Sequence, residues 1–329
     1  MEVTKQLIAF CHFKGGVGTS FIASSVAVAI AKKNIATCLI DFDCKLPNCH
    51  NILGVKVQQD RSMHSLITNN DADVHIANFF INSKARSQNL YLVSSSNDEG
   101  VEVLEDINDN KNDVADILDA ARELFNIVIV DLPVDYQNPQ VVEVLKQADK
   151  VFVVGDQDIN TVDNTIRSIN MYKDIDISIS KFMYLPNKYL EDYEIDTEAL
   201  KQTLPIRLTE PIPFDYETVL KHIAKSQYIG DSINDISIAL DRIVRIILIG
   251  VKSEEKEKKK GLFKFGKRAK QPKQQKQQKQ QKQQKHTSNK KVRYTISDND
   301  DEDQYSDITL DEEDWGDDDG YGSDERIEI

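Results

Sequence analysis

The sequence feature that most constrains the fold is a glycine-rich loop, Phe13-Lys14-Gly15-Gly16-Val17-Gly18-Thr19-Ser20. An apolar segment, 7–13, leads into this loop, and small and apolar residues at helical spacing follow it over 20–33. Strand, glycine loop and helix in this order are the context that a phosphate-binding loop needs. The glycines let backbone N–H groups approach phosphate oxygens, and the helix N-terminus adds its positive dipole end. The pattern therefore predicts a nucleotide site, and a glycine turn without a ligand is the less favoured alternative.

One position of the loop departs from the standard pattern. That pattern ends in Gly-Lys followed by Ser or Thr, and its lysine reaches the outer phosphates. Thr19 stands where this lysine would be, whereas Ser20 keeps the hydroxyl that binds magnesium. Lys14, at the front of the loop, is a cation that the standard loop lacks. We therefore expect weakened phosphate binding and slow or absent hydrolysis.

Carboxylates follow two further apolar runs. Asp41 and Asp43 come directly after the predicted strand 36–40, and Asp131 closes a run of four apolar residues, 127–130. Such a run indicates a strand buried on both faces, as in a parallel sheet. Carboxylates beside a phosphate loop suit magnesium binding and water positioning. A solvated turn after a strand has the same local pattern, but the three motifs together favour a site for ATP and Mg²⁺.

Predicted strands alternate with predicted helices along residues 1–251. Alternation of this kind predicts an α/β fold with a doubly wound, mostly parallel sheet, and ligands bind at the carboxyl ends of such strands. The strands are predicted at 6–13, 36–40, 90–94, 127–130, 151–154 and 182–185. The helices are predicted at 20–33, 62–69, 113–124, 141–147, 161–172, 216–228 and 232–249.

Composition narrows the class of protein further. The chain has 329 residues, no run of 18 apolar residues and no signal-peptide pattern, which predicts a cytoplasmic protein. Its four cysteines do not make a disulfide framework. Cys11 and Cys38 lie in predicted buried strands. A metal site formed by Cys44, Cys49 and His50 is a less favoured alternative, because the sequence has no second ligand pair.

Charge divides the end of the chain into two segments. Residues 258–293 hold 15 Lys and Arg and no Asp or Glu, and residues 294–329 hold 16 Asp and Glu and one Arg. These charges cancel, so the net charge of −14 belongs to residues 1–257, which are therefore a poor nonspecific binder of nucleic acid. We predict a disordered basic linker over 252–293 and a disordered acidic tail after it. Apolar residues among cations over 258–270 are a candidate contact with an anionic membrane surface, and a solvated linker is the alternative.

The motifs resemble those of the ParA/MinD superfamily of deviant Walker ATPases, in which the loop begins Lys-Gly-Gly. The resemblance covers about residues 5–250 and rests on Lys14-Gly15-Gly16-Val17-Gly18, Asp41-Phe42-Asp43 and Asp131-Leu132-Pro133. A loop that lacks its second lysine resembles the CpaE/TadZ branch, and so does Ala148-Asp149 before the strand 151–154. Proteins of that branch position pilus and secretion machinery.

The resemblance implies roles for individual residues. It matches Lys14 to the signature lysine, which reaches across a dimer to the partner's nucleotide, and Asp43 to the switch aspartate that orients the attacking water. It implies magnesium contacts by Ser20, Asp41 and Asp131. The implied nucleotide-binding residues are Lys14, Gly15, Gly16, Val17, Gly18, Thr19, Ser20, Phe21, Asn187, Pro213 and Asp215.

Three functions agree with these patterns to different degrees. The first is an ATP-binding, homodimeric positioning protein that serves a Tad or type IV pilus or a secretion-type envelope machine, at the inner face of the cell membrane. The second is an active partition ATPase of the ParA type, which the basic linker favours and Thr19 disfavours. The third is a tyrosine-kinase-like protein, because residues 41–47 followed by His50 resemble that group's second motif, and Tyr305 and Tyr321 lie near the chain end. Such kinases keep the loop lysine and carry denser tyrosine clusters, which disfavours this third function.

Overall fold

An eight-stranded sheet forms the centre of the fold. The structure is a computed structural model that describes residues 4–68, 76–96, 114–134 and 137–249. The strands are β1 (Gln6–Cys11), β2 (Thr37–Asp41), β3 (Ile81–Asn82), β4 (Leu90–Val93), β5 (Ile127–Asp131), β6 (Lys150–Gly155), β7 (Phe182–Pro186) and β8 (Arg207–Leu208). The α-helices are α1 (Thr19–Ala31), α2 (Cys49–Leu53), α3 (Met63–Thr68), α4 (Val114–Leu124), α5 (Pro139–Gln147), α6 (Ile159–Asp174), α7 (Thr197–Thr203), α8 (Tyr216–Ala224) and α9 (Asp235–Ile249).

The order of the strands brings the predicted motifs to one edge of the sheet. The order is β3-β4-β2-β5-β1-β6-β7-β8, and every neighbouring pair is parallel except β3 with β4. This arrangement confirms the predicted α/β, mostly parallel sheet. Phe10 of β1 and Asp41 of β2 both lie opposite Asp131 of β5. The glycine loop, which follows β1, therefore starts beside both carboxylates.

Helices cover both faces of the sheet. Residues of α1 and α9, such as Ile22 and Leu240, pack on one face, and residues of α4, α5 and α6 pack on the other. Eleven of the 13 residues of α1 are buried, because it lies between the sheet and α9 and its many small side chains allow close packing. Cys11 and Cys38 are buried in strands, as predicted.

Several boundaries differ from the predictions. Helix α1 begins at Thr19, one residue before the predicted start, and the predicted helix 216–228 ends at Ala224. The short elements α2, α7 and β3 were not predicted, because two to seven residues contain too little periodicity to detect.

The predicted basic linker, the acidic tail and the candidate membrane contact lie outside the described residues. Among the helices of the described ranges, none combines the length and the apolarity that crossing a bilayer requires.

Candidate nucleotide-binding site

The glycines of the loop hold a conformation that side chains would oppose. Gly16 has a φ of 78° and Gly18 a φ of 94°, both in the left-handed region that glycine adopts without strain. A Cβ at Gly18 would also lie 2.6 Å from Nδ2 of Asn187, whereas a Cβ at Gly15 would meet no atom within 4 Å. Gly18 therefore has two independent reasons to be glycine, and Gly15 has neither of them.

The end of β7 supports this loop. The backbone N–H of Asn187 donates to the carbonyl oxygen of Gly155 at 2.7 Å, which fixes Asn187 just beyond the sheet edge. Its side-chain Nδ2 donates to the carbonyl oxygen of Val17 at 2.6 Å. Asn187, which the resemblance places in the nucleotide site, is thus buried and bonded directly to the loop.

The two hydroxyl residues at the end of the loop differ in their surroundings. Thr19 is buried, and its Oγ1 has no hydrogen-bond partner in the structure. The Ser20 hydroxyl lies close enough to Asp131 to oppose the rise in the pKa of that carboxyl. The position of the usual lysine is therefore neutral, while the predicted magnesium-binding hydroxyl lies against the predicted magnesium-binding carboxylate.

Asp41 and Asp131 form a buried acidic pair. Burial, followed by the neighbouring charge of Asp41, raises the pKa of Asp131 to about 8. Burial also raises the pKa of Asp41 to about 6, although backbone N–H donors and the Ser94 hydroxyl oppose the rise. Asp41 accepts four hydrogen bonds, from the backbone N–H groups of Asp43, Asn48 and Cys49 and from Ser94 Oγ, at 3.0–3.1 Å. Asp131, by contrast, has a buried Oδ1 without a partner.

This cluster has the composition of a divalent cation site. One ligand atom from each of Asp41, Cys49 and Asp131 lies within 4.8 Å of the others, and all three residues are buried. Carboxylate and hydroxyl oxygens suit Mg²⁺, and the unpartnered Oδ1 of Asp131 has an open coordination position. The Cys49 thiol, 3.4 Å from Asp131 Oδ2, is a poor magnesium ligand and acts as a hydrogen-bond donor there. Asp131 and Ser20 therefore fit a bound Mg²⁺ best, and Asp41 holds the neighbouring turn.

Asp43 lies in that turn rather than in the buried pair. Its Oδ1 accepts the backbone N–H groups of Lys45 and Leu46 at 3.2 Å and 3.0 Å, and the residue is half-buried. His12 lies near enough for the charge of Asp43 to affect it, while burial lowers the pKa of this imidazole to about 4. The structure thus places Asp43 close to the loop, in a segment that local hydrogen bonds hold.

Lys14 points to the far side of the loop, toward β6. Its Nζ lies 2.9 Å from Asp158 Oδ2 and 3.3 Å from Asp156 Oδ2, in the turn that joins β6 to α6. The hydrogen bond to Asp158 raises the pKa of Lys14 and lowers that of Asp158. In this structure Lys14 therefore pairs with carboxylates of its own chain.

An apolar cavity of about 220 Å³ opens next to the loop. It brings together Gly18, Phe21, Asn187, Pro213 and Asp215, five of the predicted nucleotide-binding residues. The other lining side chains are mainly apolar and include Ile212, Phe214, Tyr216, Val219, Leu220 and Ile223. Helix α8 supplies four of these side chains, so its apolar face lines the cavity. None of its residues is fully buried. The size and lining suit a flat heterocycle such as adenine.

Sequence reasoning missed three residues of this region and grouped a fourth, Cys49, with other partners. Asp156 and Asp158 pair with Lys14, Cys49 lies against Asp131, and Lys188 donates from its Nζ to the carbonyl oxygen of Gly16 at 2.7 Å. Lys188 directly follows Asn187, which was a usable signal, but a single lysine after a strand is too common to single out. The other three contacts join distant parts of the chain and leave no local pattern.

Comparisons with known proteins agree with this architecture. Residues 5–181 match the family model AAA_31, described as an AAA domain. The chain is 25% identical to the septum site-determining protein MinD of Thermotoga maritima over 234 residues, which cover 70% of this chain and 82% of that protein. It superposes on a ParA family ATPase from Chlorobium tepidum TLS with a TM-score of 0.63 and 17% identity, covering 73% of this chain and 99% of the other. The septum site-determining protein MinD complexed with Mg-ADP from Pyrococcus horikoshii OT3 gives a TM-score of 0.63 and 15% identity, over 76% and 100% of the two chains.

The matched family model spans more than half of the chain and contains the glycine loop and both buried carboxylates. The two structural likenesses extend the agreement to the fold as a whole. The chain belongs to this AAA domain family and, within the P-loop ATPases, to the ParA/MinD superfamily.

Proposed function

We propose that the protein binds Mg-ATP, dimerises with it, and positions a pilus or secretion-type machine at the cell envelope. The observation that carries the nucleotide part is the continuity of the site. The glycine loop starts beside the buried Asp131 at the carboxyl edge of the sheet, and Asn187 joins the loop to the apolar cavity. Ligands of doubly wound α/β proteins bind at this edge.

Hydrolysis is proposed to be slow or absent. The loop lysine stabilises charge that develops on the phosphates during transfer, and Thr19 has no charge to supply there. A charged hydrogen bond contributes about 1.5–3 kcal/mol, so its loss weakens binding about tenfold to a hundredfold. The backbone N–H groups of the loop and the helix N-terminus remain, which supports weakened rather than abolished binding.

Dimerisation is proposed to use Lys14. The resemblance to ParA/MinD proteins implies that this lysine reaches the partner's nucleotide, which requires it to leave Asp156 and Asp158. About a third of the Lys14 side chain is exposed, and ion pairs at such positions contribute about 0–1 kcal/mol. The exchange of partners therefore has a small cost.

The proposed machine follows from the resemblance to the CpaE/TadZ branch, which rests on Thr19, Asp131-Leu132-Pro133 and Ala148-Asp149. The similarity to a ParA family ATPase also supports a partition ATPase as the second candidate. A tyrosine-kinase-like protein is the third candidate. Its candidate substrate residues, Tyr305 and Tyr321, lie outside the described residues, and detection of phosphotyrosine by mass spectrometry would favour this function.

Titration calorimetry tests nucleotide binding first. Mg-ATP is added to the full chain, to Thr19→Lys, and to Asp131→Asn as a variant of the magnesium site. We expect the natural chain to bind in the micromolar range, Thr19→Lys to bind more tightly, and Asp131→Asn to bind more weakly. Binding by Thr19→Lys alone would show that the natural loop is architectural. Light scattering of the same samples then measures whether ATP produces a dimer and whether Lys14→Gln prevents it.

Deletion of the gene separates the two cellular roles. Loss of surface pili or secretion with normal chromosome and plasmid inheritance supports the positioning role. Normal pili with loss of plasmids or production of cells without chromosomes supports the partition role instead. DNA binding by the purified body that survives removal of residues 252–329 and falls steeply with salt would also favour partition.

A further inference from the structure

We propose that Lys188 supplies the phosphate-binding positive charge that Thr19 lacks. This inference rests on the proposed nucleotide site and assigns it a residue that comes from the end of β7 rather than from the loop. The ligand that it would contact is the triphosphate of a nucleotide, at the outer phosphates.

The first observation is the position of the Lys188 ammonium group. Its Nζ donates to the carbonyl oxygen of Gly16 at 2.7 Å, so a positive charge lies directly on the phosphate-binding loop. The neighbouring Asn187 is bonded to Val17 of the same loop at 2.6 Å, which fixes where the Lys188 backbone starts. The charge therefore has a defined position beside the loop.

The second observation is the backbone of Lys188. Its φ is 55°, in the left-handed region that a long side chain seldom adopts. Such conformations persist only where the surroundings impose them, and they concentrate at ligand sites. Here the conformation turns Lys188 out of the line of β7 and toward the loop.

The third observation is that the charge of Lys188 remains available. Lys14 is neutralised by Asp156 and Asp158, whereas no carboxylate lies within ion-pair distance of Lys188 among the residues that the structure describes. The Lys188 side chain is exposed and lines both the apolar cavity and a second cavity of about 240 Å³ that contains Asp156 and Asp158. A neutral carbonyl partner leaves the ammonium group free to exchange Gly16 for a phosphate oxygen.

The geometry also explains how the loop can tolerate Thr19. A lysine at position 19 and Lys188 would both bring positive charge to the same phosphates, from the helix side and from the β7 side. With a neutral residue at 19 and with Lys14 paired to Asp156 and Asp158, the cation left to meet the phosphates is Lys188. The two positions should therefore behave as alternatives rather than as independent contributors.

Titration calorimetry of the full chain tests this role through the number of phosphates. ATP, ADP and AMP are compared, with Mg²⁺, in the natural chain, in Lys188→Gln, and in Lys188→Arg, which keeps the charge. Lys173→Gln is the matched control, because it removes the same charge from an exposed position of α6 that lines neither cavity. We expect Lys188→Gln to lose about tenfold to a hundredfold in ATP affinity and less than about threefold in AMP affinity. Lys188→Arg should keep most of the affinity, and the control should match the natural chain.

A double-mutant cycle with Thr19→Lys gives the second test. If the two positions are alternatives, restoring the loop lysine should reduce the effect of Lys188→Gln on ATP to less than about threefold. Equal losses of ATP and AMP affinity, or an equal effect of Lys188→Gln in both backgrounds, would overturn the proposal and leave Lys188 as a brace of the loop. If Thr19→Lys does not fold, as a thermal melt would show, the phosphate series decides alone. If the natural chain binds ATP and Lys188→Gln binds it equally well, this inference is overturned and the proposed function is not. If the natural chain does not bind ATP, the proposed function is overturned as well.

Discussion

Replacing Asp131 by Asn is expected to stabilise the ligand-free protein more at alkaline pH than at acidic pH. Asp131 is 2% exposed, its Oδ1 has no partner, and burial beside Asp41 raises its pKa to about 8. In the unfolded chain an Asp titrates near 4, as a rough reference. Because the pKa is higher in the folded state, the protonated carboxyl contributes its full share to the free energy of unfolding below about pH 4. This contribution is lost progressively as the pH rises to about 8. An Asn has no proton to lose, so the variant should lack this part of the pH dependence.

The magnitude follows from the interval of pH over which the proton is held. Between pH 5.5 and a pKa of about 8 lie about 2.5 pKa units, and each corresponds to about 1.4 kcal/mol, which gives about 3 kcal/mol. The amide of the new Asn must find an acceptor, but this cost is the same at both pH values and cancels in the comparison. For a domain of this size, about 3 kcal/mol corresponds to a change in Tm of about 6–12 °C.

Differential scanning calorimetry of the full chain at pH 5.5 and pH 8.5 measures this change, with a chelator and without nucleotide. The Tm of Asp131→Asn minus the Tm of the natural chain should be about 6–12 °C larger at pH 8.5 than at pH 5.5. The control is Asp41→Asn, because Asp41 uses both oxygens to accept hydrogen bonds. An amide there leaves a backbone N–H unsatisfied, so we expect a loss of about 1–3 kcal/mol at pH 5.5. The loss should be smaller at pH 8.5, because the charge of Asp41 no longer raises the pKa of Asp131. The reasoning would be refuted if the difference in Tm between Asp131→Asn and the natural chain were the same at both pH values or smaller at pH 8.5.

Three further predictions concern the loop, the cavity and the tail. Gly18→Ala should lower the free energy of unfolding by about 1–3 kcal/mol in a urea titration and weaken ATP binding, because of its φ of 94° and its contact with Asn187. Gly15→Ala should leave the free energy of unfolding unchanged, because a Cβ there meets no atom within 4 Å. Leu220→Arg should fill the apolar cavity and lower the ATP affinity measured by calorimetry at least about tenfold. The Tm should stay constant, because Leu220 is 44% exposed. Unchanged ATP affinity would show that the base binds elsewhere. Deletion of 294–329 should increase sedimentation with anionic vesicles if the acidic tail masks the basic linker, and an unchanged bound fraction would contradict the masking.

The parts of the site that could be predicted from the sequence are those with a contiguous pattern. The glycine loop, the carboxylate after β2 and the carboxylate after β5 each follow a buried apolar run. A parallel sheet then brings the carboxyl ends of such strands together without any knowledge of which residues touch. The sequence therefore predicts Ser20, Asp41 and Asp131 in one cluster, and in the structure Asp41 lies opposite Asp131 in the strand register.

The contacts that could not be predicted join segments that are far apart in sequence. Lys14 meets Asp158 across 144 positions, and Lys188 meets Gly16 across 172. Which acceptor a lysine meets depends on how the folded chain places distant segments, which no local periodicity encodes. Sequence proximity is also a poor guide for Cys49. The sequence groups it with Cys44 and His50 as an alternative metal site, whereas in the structure its thiol contacts Asp131.

Three features that cost stability lie at the proposed nucleotide site, and comparable ones occur elsewhere in the described residues, such as the left-handed backbones of Asn34, Asp176 and Ser226. Asp131 is buried with an unpartnered oxygen, Thr19 has a buried unpartnered hydroxyl, and Lys188 has a left-handed backbone. Each such feature costs about 1–3 kcal/mol, which is large beside a total stability of about 5–15 kcal/mol. A loop that served only as a turn between β1 and α1 would gain nothing from them, since Asn at 131 or Gly at 188 would relieve the cost. A bound Mg-nucleotide would satisfy the open oxygen of Asp131 and the charge of Lys188 together, and these two groups, rather than strain in general, support a loop that still binds a ligand despite Thr19.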